Sequence, residues 1–153
     1  SEQTQLFAQG ALLNIAGPNQ DNRTSVVQPL VALLEVRNAA ASMKAAESLA
    51  KLASTSPENR SVIAQAGAIP PLVRLLGDGK NANKTQVKAA AALGDLARVS
   101  ENKQAIVAAG GIQPLVKMLV STSVEAQARA SNAVWQLSSS TSAQQLIADA
   151  DGI

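Results

Sequence analysis

Four basic side chains are placed to act together: Lys44, Lys88 and Arg129 in one row, with Lys51 beside them. The row falls at matching points of three alanine-rich segments, ASMKAAESLAKLAS, QVKAAAALGDLARV and EAQARASNAVWQLSS. Ammonium and guanidinium groups in a row attract carboxylates, more strongly at low salt. Charges on exposed helix faces also keep a protein in solution. Glu47, three residues after Lys44 and four before Lys51, can form ordinary helix-face pairs with both. Both readings stand on the sequence alone.

Other chemistry has little material. The chain has no His and no Cys, so the usual general base, nucleophilic triads, thiolate metal sites and disulfides are excluded. The segment GDGK at residues 77–80 lacks the first glycine of a phosphate loop, and Asn81 replaces its Ser or Thr. Asp149 and Asp151 lack the other ligands of a calcium loop. Enzymatic activity, a cofactor, a metal and a small-molecule substrate are therefore not expected. The pI of about 9.2 accompanies a net charge of only +2, because with no His, Cys or Tyr almost nothing titrates between carboxylates and lysines. Basic residues are scattered and aromatics make up 1%, which disfavours nucleic-acid binding. No apolar run reaches the roughly 20 residues of a membrane helix, and the start of the chain carries no signal pattern. A soluble cytoplasmic or nuclear protein is expected, and the absence of Cys fits a reducing compartment.

The elements that position the cations repeat. VVQPLVALLEV, GAIPPLVRLLGDG and GGIQPLVKMLVST align on Pro29, Pro71 and Pro114, which stand 42 and 43 residues apart. Such a period belongs to all-helical solenoids. Each unit reads as three helices. Ser56-Pro57-Glu58 supplies an N-cap hydroxyl, a first-turn proline and an acid; Ser100-Glu101 repeats the cap and the acid. Gly67 and Gly110 end the short first helix, Pro70-Pro71 and Pro114 start the second, and Gly77, Gly79 and Asn81 break it. The third helix is the longest and carries the cations. Leu49, Leu52, Leu72, Leu75, Leu93, Leu96, Ile106, Leu115 and Leu137 are the expected core. Asn22 lies only 7 residues before its proline, against 12 for Asn59 and Asn102, so residues 24–27 should run into the second helix without a separate first one.

The pattern N-[KR]-x-x-[IV]…AG-[AG]-I-x-PLV-x-[LM]-L followed by AAxALxxLA resembles armadillo repeats over essentially the whole chain. The resemblance implies an all-α, right-handed α-solenoid of about three and a half repeats, with units at about 1–28, 29–67, 68–110 and 111–153 of a single domain. It also implies a concave groove, lined by third helices, that holds an extended peptide. In the nuclear-import adaptors of this family, a W-A-L-x-N motif supplies Trp and Asn ladders. Here Asn14, Lys51, Asp95 and Gln136 fall at the Asn position, and Gly10, Glu47, Ala91 and Asn132 at the Trp position, so only Asn14 matches. The row seven residues before the Asn position holds Phe7, Lys44, Lys88 and Arg129. The expected groove is thus Asn14, Lys44, Glu47, Lys51, Lys88, Ala91, Asp95, Arg129, Asn132 and Gln136. β-Catenin-like members use basic groove residues toward acidic ligands, which implies an acidic or mixed-charge peptide. A self-assembly module and an import-adaptor fragment are the alternatives.

Trp135, amid Ala133, Val134 and Leu137, is expected to pack and stay partly exposed. The chain reads as a window from a longer array, beginning inside a third helix. Leu6, Phe7, Leu12, Leu13 and Ile15 at one end, and Leu146 and Ile147 at the other, lack polar caps. The expected association is a closed homodimer through these ends.

Overall fold

The computed structural model describes residues 2–3, 20–77 and 83–150. Nine helices follow Gln20 among these residues: α1 Gln20–Leu34, α2 Ala39–Thr55, α3 Pro57–Gln65, α4 Ile69–Leu75, α5 Lys84–Leu96, α6 Ser100–Ala108, α7 Ile112–Met118, α8 Val124–Leu137 and α9 Thr141–Ala150. No strand occurs among them. The architecture is an all-α solenoid in which α5 packs between α2 and α8.

Local chemistry sets the boundaries. The Asn38 side chain accepts from the Ala41 amide at 3.0 Å and opens α2. Asn83 and Gln86 form a reciprocal capping box at the start of α5. The Gln86 amide also donates to the Leu76 carbonyl at 2.7 Å, tying α5 to the end of α4. The Ser123 hydroxyl accepts from the Ala126 amide at the start of α8.

Ser56 caps α3 as expected, accepting from the Asn59 amide at 3.1 Å, with Pro57 in the first turn. Ser100 does not repeat this. It is the first residue of α6; Val99 stands at the cap and no side chain caps it. The difference follows from the next residue. Pro57 holds Ser56 extended, whereas Glu101 lets Ser100 enter the helix.

The breaks between first and second helices are glycines of positive φ, +83° at Gly67 and +81° at Gly110. Gly77 also takes positive φ, +57°, where α4 ends. Gly79 and Asn81 lie outside the described residues. Where the Ala-Gly pair is missing, the chain does not break: α1 runs continuously from Gln20 through Pro29 to Leu34.

Eight of the nine expected core residues are buried, and Leu75 is half-buried against the same cluster. The interior is built from alanine, leucine, valine and isoleucine together with Met118, and alanines let helices approach closely. Two side-chain staples recur: Asn59 donates to the Leu52 carbonyl at 3.1 Å, and Asn102 to the Leu96 carbonyl at 3.0 Å. Each satisfies a buried amide and fixes a first helix against the third helix before it.

Candidate peptide-binding surface

Lys44, Glu47 and Lys51 stand on α2, Lys88, Ala91 and Asp95 on α5, and Arg129, Asn132 and Gln136 on α8. The first seven line two adjoining hollows across these helices. One, of about 690 Å³, includes Lys44, Glu47 and Lys88; the other, of about 240 Å³, includes Glu47, Lys51, Lys88, Ala91, Asp95 and Arg129. Glu47, Lys88 and Glu125 belong to both, so the hollows form one continuous surface. Asn132 is exposed on α8 beside Gly94, and a Cβ at Gly94 would stand 2.7 Å from its Nδ2. Gln136 is half-buried. Asn14 and Phe7 lie outside the described residues, as do Leu6, Gly10, Leu12, Leu13 and Ile15.

Further lining was not foreseen: Lys84 and Glu125, with Met43, Asn83, Val87 and Ser123. Lys84 and Glu125 stand one turn before Lys88 and Arg129. The row identified from the sequence extends by one turn to reach them.

The charges interlock. Glu47 lies 3.5 Å from Lys44, 3.7 Å from Lys51 and, across the helix boundary, 3.5 Å from Lys88. Burial raises the Glu47 pKa, but the charges of Lys51, Lys88 and Lys44 outweigh it and hold the group below its ordinary value. Asp95 is moved the other way. It is half-buried, and desolvation raises its pKa against the opposing charges of Arg60, Arg98 and Arg129. Arg60 is itself buried and donates from Nε to the Ala53 carbonyl at 2.7 Å. Charges of both signs thus interact across these helices.

Trp135 is corrected by the structure: it is 70% exposed. It lies two positions from both Ala133 and Leu137, which are buried, and two positions turn a helix by about 200°. The apolar neighbours that made it look packed point the other way. Val120 and Val124 are also exposed, at 84% and 79%, as is Leu146 at 41%, while Ile147 packs against the core. Among the described residues no helix is long and apolar enough to cross a membrane.

The family model described as Armadillo/beta-catenin-like repeat matches residues 56–98 and 100–139, more than half of the chain. No curated protein sequence matches. Among solved structures, the chain is similar to an engineered protein at 37% identity and a TM-score of 0.74, over 82% of this chain and 51% of that one. A second engineered protein is 33% identical with a TM-score of 0.80, over 95% of this chain and 36% of that one. The chain therefore spans about half of one and about a third of the other. A designed armadillo repeat protein, solved in complex with the peptide (KR)4, is 27% identical with a TM-score of 0.78, over 96% of this chain and 62% of that one.

Proposed function

Because this chain belongs to the Armadillo/beta-catenin-like repeat family, we propose that it is a non-enzymatic protein-binding scaffold holding an extended, acidic or mixed-charge peptide across α2, α5 and α8. One observation carries the choice of ligand. Five cations, Lys44, Lys51, Lys84, Lys88 and Arg129, line the continuous surface against three carboxylates, Glu47, Asp95 and Glu125. The excess is positive and partly desolvated, which favours carboxylates and uses the acids to fix register. The designed relative was solved with a basic peptide; the lining here favours the opposite charge. The scaffold would work in the cytoplasm or nucleus, and the absence of Cys supports a reducing compartment.

The test is fluorescence anisotropy with an alternating Glu-Ala peptide and with (KR)4, at low and high salt. The acidic peptide should bind in a salt-sensitive manner, and the double reversal Lys44→Glu, Lys88→Glu should weaken it by about tenfold or more. The melting temperature should stay near that of the wild type. Tighter binding of (KR)4, or equal binding of the acidic peptide by the reversed variant, would overturn the reading.

A second reading, association between copies of the chain, is favoured by exposed Trp135, Val120 and Val124. Light scattering over a range of concentrations decides it; a monomer at every concentration removes it.

A further inference from the structure

Glu47 differs from the other two carboxylates of the surface. Three ammonium groups converge on it, Lys44 on Oε2 and Lys51 and Lys88 on Oε1. Neither Asp95 nor Glu125 forms an ion pair among the described residues. Two of the lysines come from the same helix as Glu47 and the third from α5, so the cluster bridges neighbouring repeats. The separations of 3.5–3.7 Å exceed the roughly 2.7–2.9 Å of a well-formed charged hydrogen bond. The side chains are 25% to 54% exposed, so the pairs are loose and reachable from solvent.

Building on the acidic-ligand reading, we propose that Glu47 determines ligand specificity as an internal carboxylate that occupies the lysine cluster and must be displaced by a carboxylate of the ligand. Both hollows include Glu47 and Lys88, so no ligand crosses from one to the other without meeting this cluster. A ligand with a single acidic side chain exchanges one carboxylate for another at the lysines and gains little. A ligand carrying two or more acids supplies what Glu47 cannot, because one carboxylate is already shared among three cations. Glu47 therefore sets a threshold of ligand charge and suppresses capture of weakly acidic chains. Its pKa is lowered, burial being overcome by Lys51, Lys88 and Lys44, as expected where the lysine cluster favours the charged carboxylate.

The experiment compares wild type with Glu47→Gln, which keeps shape and removes charge, and with Glu101→Gln, exposed on α6 and outside both hollows. The probes are the alternating Glu-Ala peptide and a peptide of the same length with a single Glu. Glu47→Gln should tighten the single-Glu peptide by about fivefold, and the alternating peptide by less. Glu101→Gln, which makes the same charge change away from the surface, should change either by no more than about twofold. Equal tightening by both variants would reduce the effect to general charge and overturn the inference. Unchanged or weaker acidic binding by Glu47→Gln overturns it too, and the proposed function survives if reversal of Lys44 and Lys88 still weakens that binding. Failure of the acidic peptides to bind any of the proteins overturns both. Unchanged melting curves confirm that the comparison is made on folded protein.

Discussion

Helices α5 and α8 occupy the same place in successive repeats, and they are covered to different degrees. Among the described residues α5 has α2 on one flank and α8 on the other, whereas α8 has α5 on one flank. In matching register, Leu93 is fully buried and Val134 half-buried; Gly94 is buried and Trp135 is 70% exposed. Gly94 allows the α8 backbone to approach, with Ala133 Cα and N each 3.5 Å from where its Cβ would stand. A register position on a third helix thus has no burial of its own; the adjacent helix confers it. This is what a quasi-one-dimensional stack implies, since each unit finishes its core with a neighbour's surface.

The contrast can be broken by substitution at matched positions. Leu93→Ala should cost about 3 kcal/mol, a cavity in the fully enclosed core, while Val134→Ala should cost about 1 kcal/mol. Urea unfolding measures both; equal costs would mean that α8 is covered as α5 is. Gly94→Ala comes next, with a gain of about 0.5–1 kcal/mol from helix propensity. The new methyl meets Asn132 Nδ2 at 2.7 Å, a side-chain end that can swing aside, and the backbone only at ordinary contact distance. A loss of stability would show that Asn132 is held in place.

Asp95 and Gln136 form the next matched pair. Asp95 has a carboxyl raised above its ordinary 3.8 by burial, so the folded chain holds that proton more tightly than the unfolded one. The stability this lends is present below 3.8 and is lost as pH rises through the folded value. Asp95→Asn should therefore be slightly more stable at neutral pH, by about 0.5 kcal/mol, and the gap should close on acidification. Glu47 works oppositely: its lowered pKa stabilises above 4.5 and is lost as pH falls through the folded value. Chemical unfolding of Asp95→Asn across the acid range separates the two. The smallest effect belongs to Trp135→Ala, within about 0.5 kcal/mol of wild type in the isolated chain. A larger loss would place the ring against something.

The repeat and its single irregularity were legible from spacing. Pro29, Pro71 and Pro114 gave the period, and the short interval from Asn22 to Pro29 gave the unbroken α1. Glycine and proline act within a few residues, so their consequences can be read locally. Ser100 shows how narrow that window is, because the absence of one following proline moved the helix start by a residue. The surface was half legible. Lys44 and Lys51 announced their pairing with Glu47 by helical spacing, but Lys88, 41 residues beyond Glu47, could be joined to it only by the packing of α5 on α2. Trp135 was misjudged for a related reason: its sequence neighbours are apolar, yet its spatial neighbours are set by the next element.

Gly67 and Gly110 carry a stereochemical consequence. An added Cβ at either position would meet nothing within 4 Å, so the room for a side chain is there. What is denied is handedness, since an L residue at φ near +80° is strained and a D residue is not. The reversal from first helix to second thus rests, in the two described repeats that make it, on an achiral carbon. Every other residue of those helices biases the chain to one hand, and these two abstain.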